Sequence, residues 1–163
     1  MEKITTPESE VAVAKHLGVR ECIIVPNISW GFNGMHECDV FAIRRSGYAV
    51  EVEIKCSKSD LIADARKMHR KKPIDARISE VYFAFQEKYY PDWSEYVPDY
   101  AGILTIREYA DGKFHATRRR NAKRNKLCRV LTEKEQLLVA RLGTLRIWNL
   151  KDTLNKRLKN GKN

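Results

Sequence analysis

The sequence predicts an α/β fold, and three observations lead there. Segments of helical and of strand periodicity alternate along the chain. Residues 50–55 alternate strictly, with Val50, Val52 and Ile54 on one side and Glu51, Glu53 and Lys55 on the other, the pattern of a strand with two different faces. The length, 163 residues, is that of one domain with a sizeable core. The β-branched face of the 50–55 strand suits burial under a helix layer. Two carboxylates and an ammonium in a row beside a core are costly unless something pairs with them. A divalent cation with its water shell would do so.

Each element follows from local signals. Thr6-Pro7 opens a first helix, in which Glu10 precedes Val13, Ala14 and Leu17 at spacings of three, four and seven and so falls on the apolar face. Glu8 suits the helix dipole of the first turn, and Gly18 ends the helix. Residues 21–29 read as a strand that Pro26 marks as an edge or a bulge. The stretch 30–34, Trp-Gly-Phe-Asn-Gly, reads as a loop whose aromatics cover the core or stack on a base. Residues 35–44 form the next strand, with Cys38, Val40 and Ala42 on one face and Glu37, Asp39, Phe41 and Ile43 on the other. Arg45-Ser46-Gly47 turns it into the strand 48–56, which makes a hairpin with acidic groups on a shared face.

Ser57 or Ser59 caps a helix over about 60–69 with Leu61, Ala65 and Met68 as its apolar stripe. Its other side, Arg66, Lys67, His69, Arg70, Lys71 and Lys72, is either a solvated basic face or a phosphate contact; Pro73 ends it. Residues 80–85 form a central apolar strand. A loop over 86–99 leads to a strand at 100–109, and Asp111-Gly112 turns that strand into 113–117. Thr132-Glu-Lys-Glu135 is a capping box for a helix with Leu137, Leu138 and Leu142. Trp148 and Leu150 are expected to return to the core before a short basic helix over about 151–158. There is no internal repeat and no sign of a second domain: residues 1–163 read as one unit, with a core of about 6–117 and an extension over 118–163.

Composition bounds the partners. The net charge is +10, and it is uneven: residues 113–163 hold 16 Lys or Arg against 3 Asp or Glu, and residues 1–112 hold 15 against 18. Such asymmetry points to a polyanion, with nucleic acid the first candidate. Residues 113–129 contain eight basic and no acidic residues, so self-repulsion predicts an extended or mobile segment in the absence of an anion. Its cations Arg118, Arg119, Arg120, Lys123, Arg124 and Lys126, with Lys71 and Lys72, are the candidate phosphate contacts. No apolar run has the roughly 18 residues of a membrane span, and the first residues lack a signal-peptide core, which gives no membrane partner and an expected cytoplasmic location. Cys22, Cys38, Cys56 and Cys128 form no Cys-Xaa-Xaa-Cys pair and are expected to be reduced and largely buried.

Asp39 on the first strand of the hairpin and Glu53-Ile54-Lys55 on its second are separated by 14 residues, within the order helix, strand, hairpin, helix, strand. This resembles the PD-(D/E)xK nuclease superfamily. The set Val52-Glu-Ile-Lys-Cys-Ser57, Asp60, Asp64, Val81-Tyr-Phe-Ala-Phe85, Val97-Pro98 and Ala101-Gly-Ile-Leu104 is similar to the MmcB-like DNA repair family over roughly residues 8–117. The resemblance implies a restriction-endonuclease-like three-layer fold, a mixed central sheet flanked by helices, here with a C-terminal helical extension. It implies an endonuclease hydrolysing DNA in repair or recombination, with Asp39, Glu53 and the Ile54 carbonyl as ligands to Mg²⁺ (Mn²⁺ as a substitute), Lys55 orienting a water or screening the phosphate, and Glu10 as the glutamate of the first helix. Cys38 stands where the family usually has Pro. Glu51, Glu37 and Asp60 are secondary candidates: the two glutamates also read as partners of a basic neighbour, and Asp60 as a first-turn helix residue. Two other readings stay open: a non-catalytic nucleic-acid-binding module on the same fold, and an RNA-processing nuclease, with DNA favoured over RNA. Action on branched DNA would imply a homodimer, for which the sequence has no interface signature.

Overall fold

The computed structural model describes residues 4–28, 37–70 and 75–160, apart from the side chains of 67–70. Its elements in order are α1 (Thr6–Leu17), β1 (Ile23–Ile28), β2 (Cys38–Ile43), β3 (Ala49–Ile54), α2 (Lys58–Arg70), β4 (Ile78–Gln86), the single turn α3 (Tyr90–Trp93) between 3-10 turns at Glu87–Tyr89 and Ser94–Tyr96, β5 (Gly102–Glu108), β6 (Phe114–Arg120) and α4 (Glu133–Asn160). The loop expected over 86–99 is therefore largely helical turns. Lys71, Lys72, the aromatic loop at 30–34 and the side chain of His69 lie outside the described residues.

The strands form one six-stranded sheet in the order of the chain. β1, β2 and β3 are antiparallel neighbours, β3, β4 and β5 are parallel, and β6 returns antiparallel to β5. Chain connectivity explains the mixture. A tight turn with Gly47 at φ 78° joins β2 to β3, and α2 provides the crossover that a parallel pair requires. Pro26 lies in the edge strand β1, where a missing amide is tolerated.

Each face of the sheet carries its own core. Val40, Val50, Val52, Ile54, Leu104 and Ile106 pack with Ala12 and Val13 of α1. Phe41, Ile43, Val81, Phe83, Phe85 and Ile103 pack on the other side with Leu61 of α2, Trp93 of α3 and Val139 of α4. The molecule is a mixed α/β sheet between helix layers. Both faces of β3 are buried, so Glu51 and Glu53 sit inside a core instead of on an open surface, 0% and 8% exposed.

Several local expectations are corrected. Cys38 joins Phe41 and Ile43 instead of Val40 and Ala42. Its partner across the pair is Ile28, and the preceding Asn27 adopts φ 51°, a left-handed conformation that Asn tolerates, which breaks the two-residue alternation between Val25 and Ile28. The cap of α1 is Thr5, not Thr6, in a reciprocal capping box with Glu8. The buried stripe of α1 is Ser9, Ala12 and Val13, which leaves Glu10 at its margin. The two C-terminal helices are a single 28-residue helix, and its residues 144–160 are exposed throughout. Trp148 and Leu150 are 61% and 60% exposed and do not return to the core. The cysteines are free as expected, but of the four only Cys38 is buried; Cys22 and Cys128 are half-buried and Cys56 is exposed.

Gly102 marks a close approach. A Cβ there would lie 2.8 Å from the Ala122 backbone nitrogen and closer still to the Tyr82 ring. Neither neighbour yields easily, one being backbone and the other a buried ring. Gly102→Ala is expected to destabilise the fold by about 1–3 kcal/mol, read from the urea midpoint. A change below about 0.5 kcal/mol would show that the strand ends move apart freely.

Candidate active site

The hairpin register brings the predicted acids together. β2 and β3 pair Val40 with Val52 and Phe41 with Glu51, so Asp39 arrives beside the end of β3. Its Oδ2 accepts the Ile54 N–H at 2.7 Å. Ile54 thus enters the site through its amide; the carbonyl role remains an expectation. Burial raises the Asp39 carboxyl above the usual range, the Ile54 amide opposes this, and Asp60 and Asp64 add to the rise.

Lys55 follows β3 and is 5% exposed. Its Nζ donates to Glu53 Oε2 at 3.0 Å and to Asp64 Oδ2, and Asp60 Oδ2 lies 3.9 Å away. Burial pulls the ammonium down, but Glu53 and Asp64 together outweigh it and hold Lys55 above the ordinary lysine range. It is therefore a fixed charge and hydrogen-bond donor, not a base. Asp64 was not among the candidate site residues. Its signal was present: Asp60 and Asp64 are spaced i, i+4 on the helix that starts just after Lys55 and so share a face.

Glu53 divides its oxygens. Oε2 meets Lys55, while Oε1 is buried with no hydrogen-bond partner among the described residues. Burial pushes its pKa up to about 8, Lys55 opposes this, and Glu51 and Asp39 add to it. Glu51 lies deeper on the same face, hydrogen-bonded by the Cys38 thiol, whose own pKa burial raises further. Its charge also helps keep the half-buried Tyr100 hydroxyl protonated, after burial itself.

A hard divalent cation fits these groups. The donors are carboxylate oxygens, one of them orphaned, and the surrounding acids outnumber the single ammonium. Among the described residues no three Asp, Glu, His or Cys side chains form a cation site by themselves. Mg²⁺ is commonly held by one or two carboxylates, with waters and substrate phosphates completing its shell, which suits the Asp39–Glu53 pair.

The other candidates make contacts of their own. Glu10 accepts a hydrogen bond from Asn27 Nδ2 at 2.9 Å, its partner among the described residues. Glu37 is exposed ahead of β2. The basic segment is not a free arm: it is hydrogen-bonded to the sheet along much of its length. Its first part lengthens β6 to Arg120. Arg119 pairs with Glu87, and Arg120 donates to the Ala101, Val97 and Pro98 carbonyls. The next part straps the sheet: Lys123, Asn125, Arg129 and Leu131 amides donate to the Tyr100, Ser79, Ala76 and Gly47 carbonyls. Those carbonyls lie at the N-terminal ends of β3, β4 and β5, whereas Lys55 follows a C-terminal end. Strand rise puts about 20 Å between the two ends. Lys123, Arg124 and Lys126 are exposed, with Arg124 also lying 4.2 Å over the Tyr48 ring, but none converges on Lys55. Arg118 is exposed midway along β6.

No family model matches the chain, and no curated protein does. A solved structure is similar. It is a protein of unknown function from Silicibacter pomeroyi, with a TM-score of 0.62 and 17% identity over 94% of each chain. At that identity the likeness shows the fold alone. No helix among the described residues is long and apolar enough to cross a membrane.

Proposed function

We propose that the chain is a Mg²⁺-dependent endonuclease of the PD-(D/E)xK type that hydrolyses DNA phosphodiester bonds. The observation that carries this reading is the meeting of Asp39, the orphaned Glu53 oxygen and the Lys55 ammonium at one end of the β2–β3 hairpin. The order α1-β1-β2-β3-α2-β4, a hairpin followed by a parallel strand, supports it. The restriction-endonuclease-like assignment and a role in repair or recombination draw on the resemblance to the MmcB-like family.

Asp39 and Glu53 would hold the metal, which when bound supplies charge neutralisation at the phosphate and a more acidic water. Lys55 cannot take up a proton; it places positive charge where the phosphate or the attacking water lies. Asp64 and Glu53 fix the ammonium from two sides. Asp39 is fixed by the Ile54 amide, so its free oxygen has a defined direction. The binding-module alternative draws on the eight basic residues over 113–129.

Labelled single-stranded, duplex, flapped and branched DNA, with matched RNA, would be incubated with Mg²⁺ or Mn²⁺. Cleavage is expected that EDTA, Asp39→Ala and Glu53→Ala each abolish. Cleavage surviving those substitutions overturns the site. Salt-sensitive binding without any cleavage favours the binding module, and preferential cutting of RNA corrects the substrate.

A further inference from the structure

Beside Lys55 a small cleft opens that Ser9, Cys56, Gln86 and Tyr89 also line. Tyr89 is a half-buried ring at the end where the acids meet. It lies parallel to Trp93, centroids 4.3 Å apart at 5°. Trp93 is buried and leans on Phe85 of the sheet at 5.4 Å. The ring is thus backed two aromatics deep by the core, which makes it rigid.

The cations at this end are Lys55, Lys88 and, from the charge run, Arg119, which Glu87 holds. Lys88, exposed, places its Nζ 4.9 Å from the Tyr89 centroid. Arg119 reaches back along β6 to Glu87 and lies 6.0 Å from the Tyr90 ring. Lys55, Lys88 and Arg119 therefore line the C-terminal ends of the parallel strands, while the strap over 121–131 is at the far ends.

We infer that Tyr89 is a stacking platform for an unpaired base next to the cleaved phosphate, so that the substrate is a strand with accessible bases: single-stranded, or a frayed end or flap. This rests on the phosphodiesterase reading of Asp39, Glu53 and Lys55. A base in duplex has both faces covered by its neighbours, so a ring can stack on it only once it is unpaired or flipped out. An aromatic face beside mobile cations is the usual means of holding single strands without reading sequence. Lys88, on a flexible stem, gives way to the base and meets the adjoining phosphate.

The test is a cycle between ring and base. Binding of a labelled single-stranded oligonucleotide is measured by anisotropy in EDTA, with cleavage followed separately in Mg²⁺ or Mn²⁺. Tyr89→Ala is expected to weaken binding about 5- to 150-fold. Tyr89→Phe should stay within about twofold, and Tyr89→Leu, which keeps Trp93 covered, should lose like Ala. An abasic site moved along the strand should find one position where the wild type suffers the same loss and Tyr89→Ala suffers none. Losses that multiply at every position, or equal losses in Phe and Ala, overturn the platform even if the enzyme cuts. Absence of metal-dependent cleavage, or cleavage that survives Asp39→Ala, overturns the underlying reading whatever the cycle gives.

Discussion

Lys55→Met is expected to abolish cleavage and to lower stability by about 3–5 kcal/mol at neutral pH, the range found when one partner of a buried ion pair is removed. The ammonium is a shared counter-charge: Glu53 meets it at 3.0 Å and Asp64 more closely still. Their side chains are 11% and 21% exposed, so solvent does little to replace it. Glu53 can relieve part of the loss by taking a proton, which makes the deficit larger at pH 8 than at pH 5. Adding Asp64→Asn to Lys55→Met removes the charge that stays stranded at neutral pH, where Glu53 takes a proton, and should restore part of the stability but no activity. Urea unfolding followed by circular dichroism gives both numbers. A loss under about 1 kcal/mol would mean that water reaches the pair in solution.

Glu53→Gln should also remove activity, by at least about a hundredfold, since several kcal/mol of charge stabilisation depend on the metal that Glu53 would hold. Its effect on stability has the opposite sign. The folded carboxyl titrates at about 8 and the unfolded one at 4.5. Between those values the native state keeps a proton that the unfolded state has lost, so stability falls as pH rises from about 4.5 to about 8 and changes little from this group outside that window. Gln cannot titrate and should flatten the slope, making the metal-free variant the more stable protein at pH 8. Mg²⁺ should flatten the slope of the wild type and not that of the variant. A slope that survives Glu53→Gln would place the raised pKa on another group.

Local chemistry made half of this site legible. The alternation in 50–55 separates an apolar from a charged side within a few residues, and a glycine turn between two strand patterns brings Asp39 back beside Glu53. Those signals are short-range: backbone pleat, turn conformation and register. The same rules failed at Cys38, whose partner Ile28 follows the left-handed Asn27, since alternation assumes extended backbone throughout. For Glu10 they overstated burial, because a helical stripe is some 100° wide: its centre, Ser9 and Val13, packs on the sheet, while its margin reaches Asn27.

By itself, then, the sequence determined the α/β layering, the hairpin and the pair Asp39–Glu53 with Lys55, all set by patterns read over fewer than about twenty residues. Only the tertiary structure decided which charges meet. Asp64 reaches Lys55 because of the direction in which α2 leaves β3. Arg119 and Arg120 are spent on Glu87 and on backbone carbonyls, and the remaining basic strap lies at the end of the sheet away from the acids. Charge is additive in a sequence, but its effect falls off with distance and is cancelled by whichever partner the fold supplies.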